Sequence, residues 1–403
     1  MRILYINPYA GGPGVGRYWR SFHLACAWQR QGHEVEVVSP AYHHLMDGEA
    51  QSTGCIDIQG VSFNFVHALK YSGNGFRRLL AMLYFAFSLL FFLLRMPRDR
   101  RPELIVYSSA HPFAYPAALV AAKLFGARLY FEVRDLWPLS LIEVAGFNRW
   151  HPIVIAIGLI EKLAYRCSDK VVSLLPGAQD YMVSKGARED KFIYAPNGFS
   201  QAPTMLFEGC SDLLKDLRCL REGGSFVFFY AGALGEPNAM HKFIDALLFF
   251  KAPEGRLVQF VIVGKGEQYG ELVQRCIKYN INNVSFYPQV DKGVVLSALS
   301  LVDAAFFVMH DLAIYRFGVS LNKLYDYMSA KVPIVGAYDS YNDPIAEARC
   351  GISVLPNRPK ELASAFEEMV ELNDLLRAEM GERGRKYLQE NFEYSAIARR
   401  IVS

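Results

Sequence analysis

Residues 1–20 read MRILYINPYAGGPGVGRYWR. An apolar run, RILYI at 2–6, passes directly into a loop with glycines at 11, 12, 14 and 16, and a helical pattern over 17–31 follows. Strand, glycine-rich turn and helix form the opening unit of a doubly wound α/β domain. Glycine lets backbone N–H groups approach an anion where a helix begins. Working outward, EVEVVS (34–39), ELIVY (103–107), ARLYFEV (127–133), KVVSL (170–174) and KFIYA (191–195) read as further strands, with helical patterns between them such as 113–125. Their continuous apolar character, without alternation, suits strands covered on both faces and hence a parallel sheet.

Near residue 200 the pattern breaks. Residues 201–224 mix Gly, Ser, Pro and charges and end in REGGS, which reads as a linker with a short helix. A second series then starts: FVFFYA (226–231), LVQFVIVG (257–264), VSFYP (284–288), AAFFVM (304–309), PIVGA (333–337) and GISVL (351–355). The expected organisation is a domain over 1–200, a linker over 201–224, a second domain over 225–383 and a C-terminal helix over 384–403 that returns to the first domain. Two tandem domains suit 403 residues, too many for one ordinary core. Ligands in such sheets bind beyond the carboxyl ends of strands, so a cleft between two facing domains is the expected site.

Composition narrows the function. A net charge of +3 leaves no footprint for nucleic acid. Seven scattered cysteines without a C-x-x-C pair argue against a disulfide framework or a zinc site and suit a reducing cytosol. The first residues read as a strand, not a signal peptide. The glycine loop lacks G-x-G-x-x-G spacing, and the second strand ends VVSP with no acidic residue for a ribose, which argues against a nicotinamide-dependent oxidoreductase. There is no Ser–His–Asp order, no H-E-x-x-H and no paired metal carboxylates, so the sequence calls for no metal.

The stretch IYRFGVSLNKLYDYMSAKVPIVG (314–336) is the most informative for a site. A helix is expected to begin near Ser320–Asn322, with Ser320 as its N-cap and the next amides free to meet a diphosphate. Lys323 in the first turn opposes the helix dipole unless an anion is there to be met; the plain alternative is a lysine reaching into water. Asp326, one turn on, is placed to accept hydrogen bonds from ribose hydroxyls, against ordinary acid placement. In FEVRDLWPLS, Arg134 and Asp135 follow a strand and are the candidate catalytic residues, Asp135 to orient a substrate hydroxyl and Arg134 to contact a phosphate, with a structural ion pair equally open. Glu132 falls on the opposite pleat. His111 in SSAHP reads as a packing histidine or an acceptor contact, and Trp137 as core.

These residues, with APNGF (195–199), YAGALG (230–235), VGKGEQ (263–268) and RGRKYLQENFEYSAIA (384–398), occur in an order that resembles the retaining glycosyltransferases of family 4. The nearest branch is that of bacterial O-antigen and capsule assembly, which shares FEVRDLWP. The resemblance runs over essentially the whole chain. It implies the GT-B fold, two doubly wound parallel-sheet (Rossmann-like) domains facing a cleft. It also implies a UDP- or GDP-sugar held mainly by the C-terminal domain and a saccharide acceptor held mainly by the N-terminal one. By position, Leu321, Asn322 and Lys323 match residues whose backbone amides hold the donor diphosphate, with Ser320 before them. Tyr287 and Pro288 edge the nucleotide base, and Gly14 and Gly16 close on the phosphates, with Arg17 beside them toward the acceptor. Asp326 takes the place of the second glutamate of an E-x7-E pattern. The first glutamate aligns with Gly318, and the usual Arg and Lys after the first strand of the C-terminal domain align with Ala233 and Asn238. The phosphate charge must then be met elsewhere, first by Lys323, with Lys265 and Lys242 behind it.

The reaction expected is transfer of a hexosyl group with retention, without metal or cofactor. A sugar-nucleotide 2-epimerase of the same fold, the oxidoreductase and an inactive scaffold are the alternatives. One segment points to a location. LLAMLYFAFSLLFFLL (79–94) is almost wholly apolar and is flanked by Arg77, Arg78, Arg95, Arg98, Arg100 and Arg101. Sixteen residues of helix span about 24 Å, short of the ~20 residues a bilayer crossing takes. The segment is read as docking on an anionic membrane surface, the other reading being a fully buried helix. The acceptor would then be lipid-linked, on a polyprenyl diphosphate, and the enzyme cytoplasmic and peripheral on the inner face of the membrane.

Overall fold

β1 (Arg2–Ile6) lies inside an eight-stranded sheet and is its branch point. The structure is a computed structural model that describes residues 1–46, 50–73, 75–200 and 211–403. Along the first unit run α1 (Arg20–Arg30), β2 (Glu34–Pro40), β3 (Gly54–Ile58), β4 (Val61–Val66), α2 (Phe76–Leu94), β5 (Leu104–Ser109), α3 (Tyr115–Phe125), β6 (Arg128–Val133), α4 (Leu139–Glu143), α5 (Pro152–Cys167), β7 (Lys170–Ser173), α6 (Gln179–Ser184) and β8 (Phe192–Tyr194). The sheet order is β3-β4-β2-β1-β5-β6-β7-β8, parallel throughout except for β3 against β4. The order reverses between β1 and β5, so ligands are expected where those two strands end.

The second unit contains α7 (Asp212–Glu222), β9 (Phe226–Ala231), α8 (Met240–Leu247), β10 (Val258–Val263), α9 (Tyr269–Lys278), β11 (Val284–Tyr287), α10 (Lys292–Leu299), β12 (Ala304–Val308), α11 (Asn322–Ser329), β13 (Ile334–Ala337), α12 (Pro344–Ala348), β14 (Gly351–Val354), α13 (Pro359–Glu371) and α14 (Asp374–Asn391). Its parallel sheet has the order β11-β10-β9-β12-β13-β14, with the switch between β9 and β12. Residues 201–210 of the expected linker lie outside the described residues, and the remainder is mostly α7.

Three local readings change. The hairpin β3–β4 has no counterpart among the expected strands. It turns on Gln59 and Gly60, both at positive φ (49° and 86°), the geometry a two-residue hairpin loop needs. The C-terminal segment expected over 384–403 is two helices. α14 stays with the second unit, whereas α15 (Tyr394–Val402) belongs to the first. There Trp28 Nε1 donates to Ala398 O at 2.9 Å, and a Cβ on Gly198 would lie 2.7 Å from the Tyr394 ring. Finally, the apolar helix is longer than 79–94. α2 has 19 residues, about 28 Å, enough by length and composition to cross a membrane. It nevertheless lies on the first unit. Ala81, Phe85, Leu89 and Leu93, one every fourth residue, are buried, and α2 packs on α3 and β4. The opposite side is open, with Phe87 67% and Phe91 48% exposed, so the fully buried alternative is excluded.

Candidate functional site

At the switch point of the second unit the two loops that matter follow β9 and β12. The β9 loop is pressed against the loop after β10. Gly232 N donates to Val263 O at 3.0 Å and Leu234 N to Lys265 O at 2.9 Å. A Cβ on Gly264 would come within 1.9 Å of Gly232 O, and one on Gly266 within 2.1 Å of Leu234 O. Those glycines are there for close backbone approach. Lys265 itself is exposed.

The β12 loop reaches Gly318, at φ 111° and ψ 173°, a region essentially restricted to glycine. Asn342 fixes the next residue: its Oδ1 accepts from Val319 N at 2.8 Å and its Nδ2 donates to Val319 O at 3.2 Å. α11 then starts at Asn322 with Leu321 in the cap position and no side-chain cap. Ser320 is therefore not the N-cap; its Oγ lies 3.4 Å from Tyr325 Oη. The apolar cap leaves the first-turn amides without a side-chain acceptor, the condition under which a helix start attracts an anion.

Lys323 joins the two loops. Its Nζ donates to Asn238 Oδ1 at 2.6 Å and to Tyr230 Oη at 3.2 Å. Half-buried, it has no carboxylate among its hydrogen-bond partners in the described residues, and desolvation lowers its pKa to about 7. It is therefore not the water-reaching lysine of the alternative reading. Asp326 faces elsewhere, 3.0 Å from Lys292 Nζ on α10. Tyr287 Oη donates to Asp216 Oδ2 on α7 at 2.7 Å, and Pro288 is exposed. Asn322 is exposed beside Lys323, whereas Lys242 turns to Asn357.

In the first unit the glycine loop departs from the expected cradle. Gly11 N donates to Tyr18 O, Gly12 N to Val15 O, Val15 N to Gly12 O and Arg17 N to Leu45 O. α1 begins only at Arg20, so the loop does not open directly onto a helix start. Gly14 and Gly16 hold positive φ, 75° and 66°. The Arg17 side chain is exposed. Arg134 lies 3.5 Å from the centre of the Tyr18 ring, with Nε and Nη1 enclosed and without a hydrogen-bond partner among the described residues. Asp135 has open solvent access, so water offsets much of the desolvation by surrounding protein that would raise its pKa. No Arg134–Asp135 ion pair within 4 Å is found among the described residues. His111 is buried among Tyr9, Phe85 and Phe113. Burial and the Arg78 charge lower its pKa to about 3. It is the packing histidine of the two readings.

The sequence reading missed the charge pair beneath this edge. Arg20 Nη2 lies 2.7 Å from Glu132 Oε1, both side chains essentially inaccessible. Glu132 Oε2 accepts from Tyr5 Oη and Ser108 Oγ, each at 2.5 Å, and Arg20 also donates to Ala195 O at 2.8 Å and to Pro196 O. Desolvation pushes the Glu132 carboxyl up, but the Arg20 charge and the hydrogen bonds from Arg20, Ser108 and Tyr5 outweigh it and hold it below the ordinary value. The available signal was a glutamate inside the apolar strand RLYFEV, since a buried carboxylate demands a buried cation.

Two largely parallel sheets with switch-point loops of this kind define the class: a two-domain α/β protein of the GT-B fold. The sequence comparisons agree. The family described as "Glycosyl transferase 4-like domain" matches residues 14–198, and "Glycosyl transferases group 1" matches residues 219–387. The chain belongs to the GT-B glycosyltransferases, which removes the oxidoreductase alternative. It is similar to the putative colanic acid biosynthesis glycosyl transferase WcaI of Escherichia coli K12, 24% identical over 302 residues, 72% of each chain. Among solved structures, Anabaena HepE in complex with UDP and glucose superposes with a TM-score of 0.68 at 16% identity, covering 100% of this chain and 98% of that one. WaaG, a glycosyltransferase involved in lipopolysaccharide biosynthesis, does so with a TM-score of 0.66 at 15% identity, covering 99% and 98%.

Proposed function

We propose that the protein is a retaining, metal-independent hexosyltransferase that moves a sugar from a UDP- or GDP-sugar to a lipid-linked saccharide in surface-polysaccharide synthesis. The observation that carries the donor half is Lys323. The family's usual lysine after β9 is here Asn238, and the Lys323 ammonium lies 2.6 Å from that side chain. The cation has moved from one switch-point loop to the other while staying at the same spot. Together with the first-turn amides of α11 it would neutralise the departing diphosphate, the main electrostatic demand of the reaction. As the C1–O bond to phosphate breaks, the acceptor oxygen bonds to C1 on the same face and its proton passes to the departing phosphate oxygen. No strong protein base is then needed. The Arg134 guanidinium, a charge held at the end of β6, suits a phosphate oxygen, and exposed Asp135 suits an acceptor hydroxyl. Gly318 cannot supply the carboxylate that usually contacts the transferred sugar, so its hydroxyls are recognised by other groups.

The role in polysaccharide assembly is supported by the similarity to the WcaI protein, the peripheral membrane location by the open apolar side of α2, and the cytoplasmic side by the scattered cysteines of the sequence. Calorimetric titration with UDP and GDP tests the donor site. Lys323→Ala is expected to weaken binding of the preferred nucleotide more than tenfold, and unchanged affinity would remove the phosphate assignment. Excess EDTA is expected to leave transfer intact; its abolition would show that a metal takes part.

A further inference from the structure

We propose that the aromatic turn Phe147–Trp150, at the start of α5, is a second lipid contact, and that it enters the same anionic bilayer surface as α2. The inference deepens the membrane reading above and rests on it. α2 packs on α3 and α3 on α5, so the three helices lie side by side on one face of the first sheet. Each follows a strand of a parallel sheet, so each starts at the carboxyl edge and runs back to the amino edge. All three leave large apolar side chains in water: Phe87 on α2 is 67% exposed, Leu124 on α3 57% and Leu159 on α5 65%. Large apolar side chains left open on three adjacent helices mark a candidate interaction face. The most exposed aromatics stand at the two outer helix starts, Phe76 at 71% and Trp150 at 70%.

Charge selects the occupant. Residues 76–101 hold six arginines and one acid, Asp99. α3 adds Lys123 and no acid, and residues 147–167 add Arg149, Lys162 and Arg166. The one acid there, Glu161, is buried and accepts from Tyr165 at 3.0 Å. A face on which cations outnumber the accessible carboxylates, with Asp99 exposed among six arginines and Glu143 half-buried before the turn, complements anionic headgroups, whereas a second copy of the chain would set arginine against arginine. Arg149 lies 5.1 Å from the centre of the Trp150 ring, and a cation beside tryptophan suits headgroup depth. Because Phe76 and Trp150 share the carboxyl edge with the glycine loop and Arg134, a bilayer reached by both residues would meet the edge where the acceptor is to be received.

Trp150 reports on itself. Of the four tryptophans, Trp28 is fully buried, and Trp19 and Trp137 are half-buried. The full-length protein would be mixed with phosphatidylcholine vesicles with and without phosphatidylglycerol, and with brominated acyl chains as quencher. With anionic vesicles we expect co-sedimentation, a blue shift and bromine quenching. Trp150→Phe should abolish the quenching while the protein still sediments. Phe147→Ser with Trp150→Ser should weaken vesicle partitioning by about tenfold, with the thermal midpoint unchanged. Vesicle binding without quenching of Trp150 would overturn the second contact and leave the α2 reading standing. Absence of vesicle binding, or a dimer in sedimentation velocity that Phe87→Ser dissolves, would overturn both.

Discussion

Lys323 combines a desolvated ammonium with polar neighbours that carry no charge. Its pKa of about 7 in the free protein lies far below that of a solvated lysine, so the folded state binds fewer protons than the unfolded one and stability rises with pH from about 7 to about 10. Diphosphate reverses the preference by favouring the ammonium. Binding above pH 7 should therefore take up a proton, and affinity should fall as pH rises beyond 7, by up to about tenfold per unit until the pKa of the complex is reached. Titration at pH 8 in two buffers of different ionisation heat measures that proton; equal apparent enthalpies would refute the linkage. Arg20 and Glu132 present the opposite case, a buried pair with every partner in place. Glu132→Gln leaves a guanidinium uncompensated and is expected to cost about 3–5 kcal/mol. Chemical denaturation followed through the buried Trp28 would show it.

At the scale of elements, α2 has two sides that should respond differently. Phe85→Ala or Leu89→Ala opens the packed stripe and is expected to lower stability by about 2–5 kcal/mol. Phe87→Ser with Phe91→Ser touches the open side and should shift the protein from the membrane to the soluble fraction with little change in thermal midpoint. Most of the strands were legible because continuous apolar runs such as FVFFYA and AAFFVM fit only strands covered on both faces. The β3–β4 hairpin was not legible: its turn, Gln59-Gly60, lacks the Asn or Asp that usually announces positive φ. The candidate site drew notice in the sequence where charge defies local rules, as at Lys323 in a first helical turn. Ser320 misled because a cap was inferred from residue type, whereas Asn342, from a distant loop, fixes the backbone just before it. The Arg20–Glu132 pair was illegible as a pair because 112 residues separate its members.

Across the whole molecule the two units differ in how they are completed. The second is one continuous stretch, 201–393, whereas the first is assembled from 1–200 and 394–403. A fragment ending at residue 200 should be poorly soluble, because Ile397, Ala398 and Ile401 are missing from its core. A synthetic peptide of residues 390–403 supplied in trans should restore solubility, and a fragment that is soluble without it would argue against this dependence. On the ribosome, the surface around Trp28 must wait uncovered while all of the second unit is translated. The docking of Tyr394 over Gly198 thus serves as a timer: the half expected to hold the acceptor can finish folding only after the half expected to hold the donor has been made.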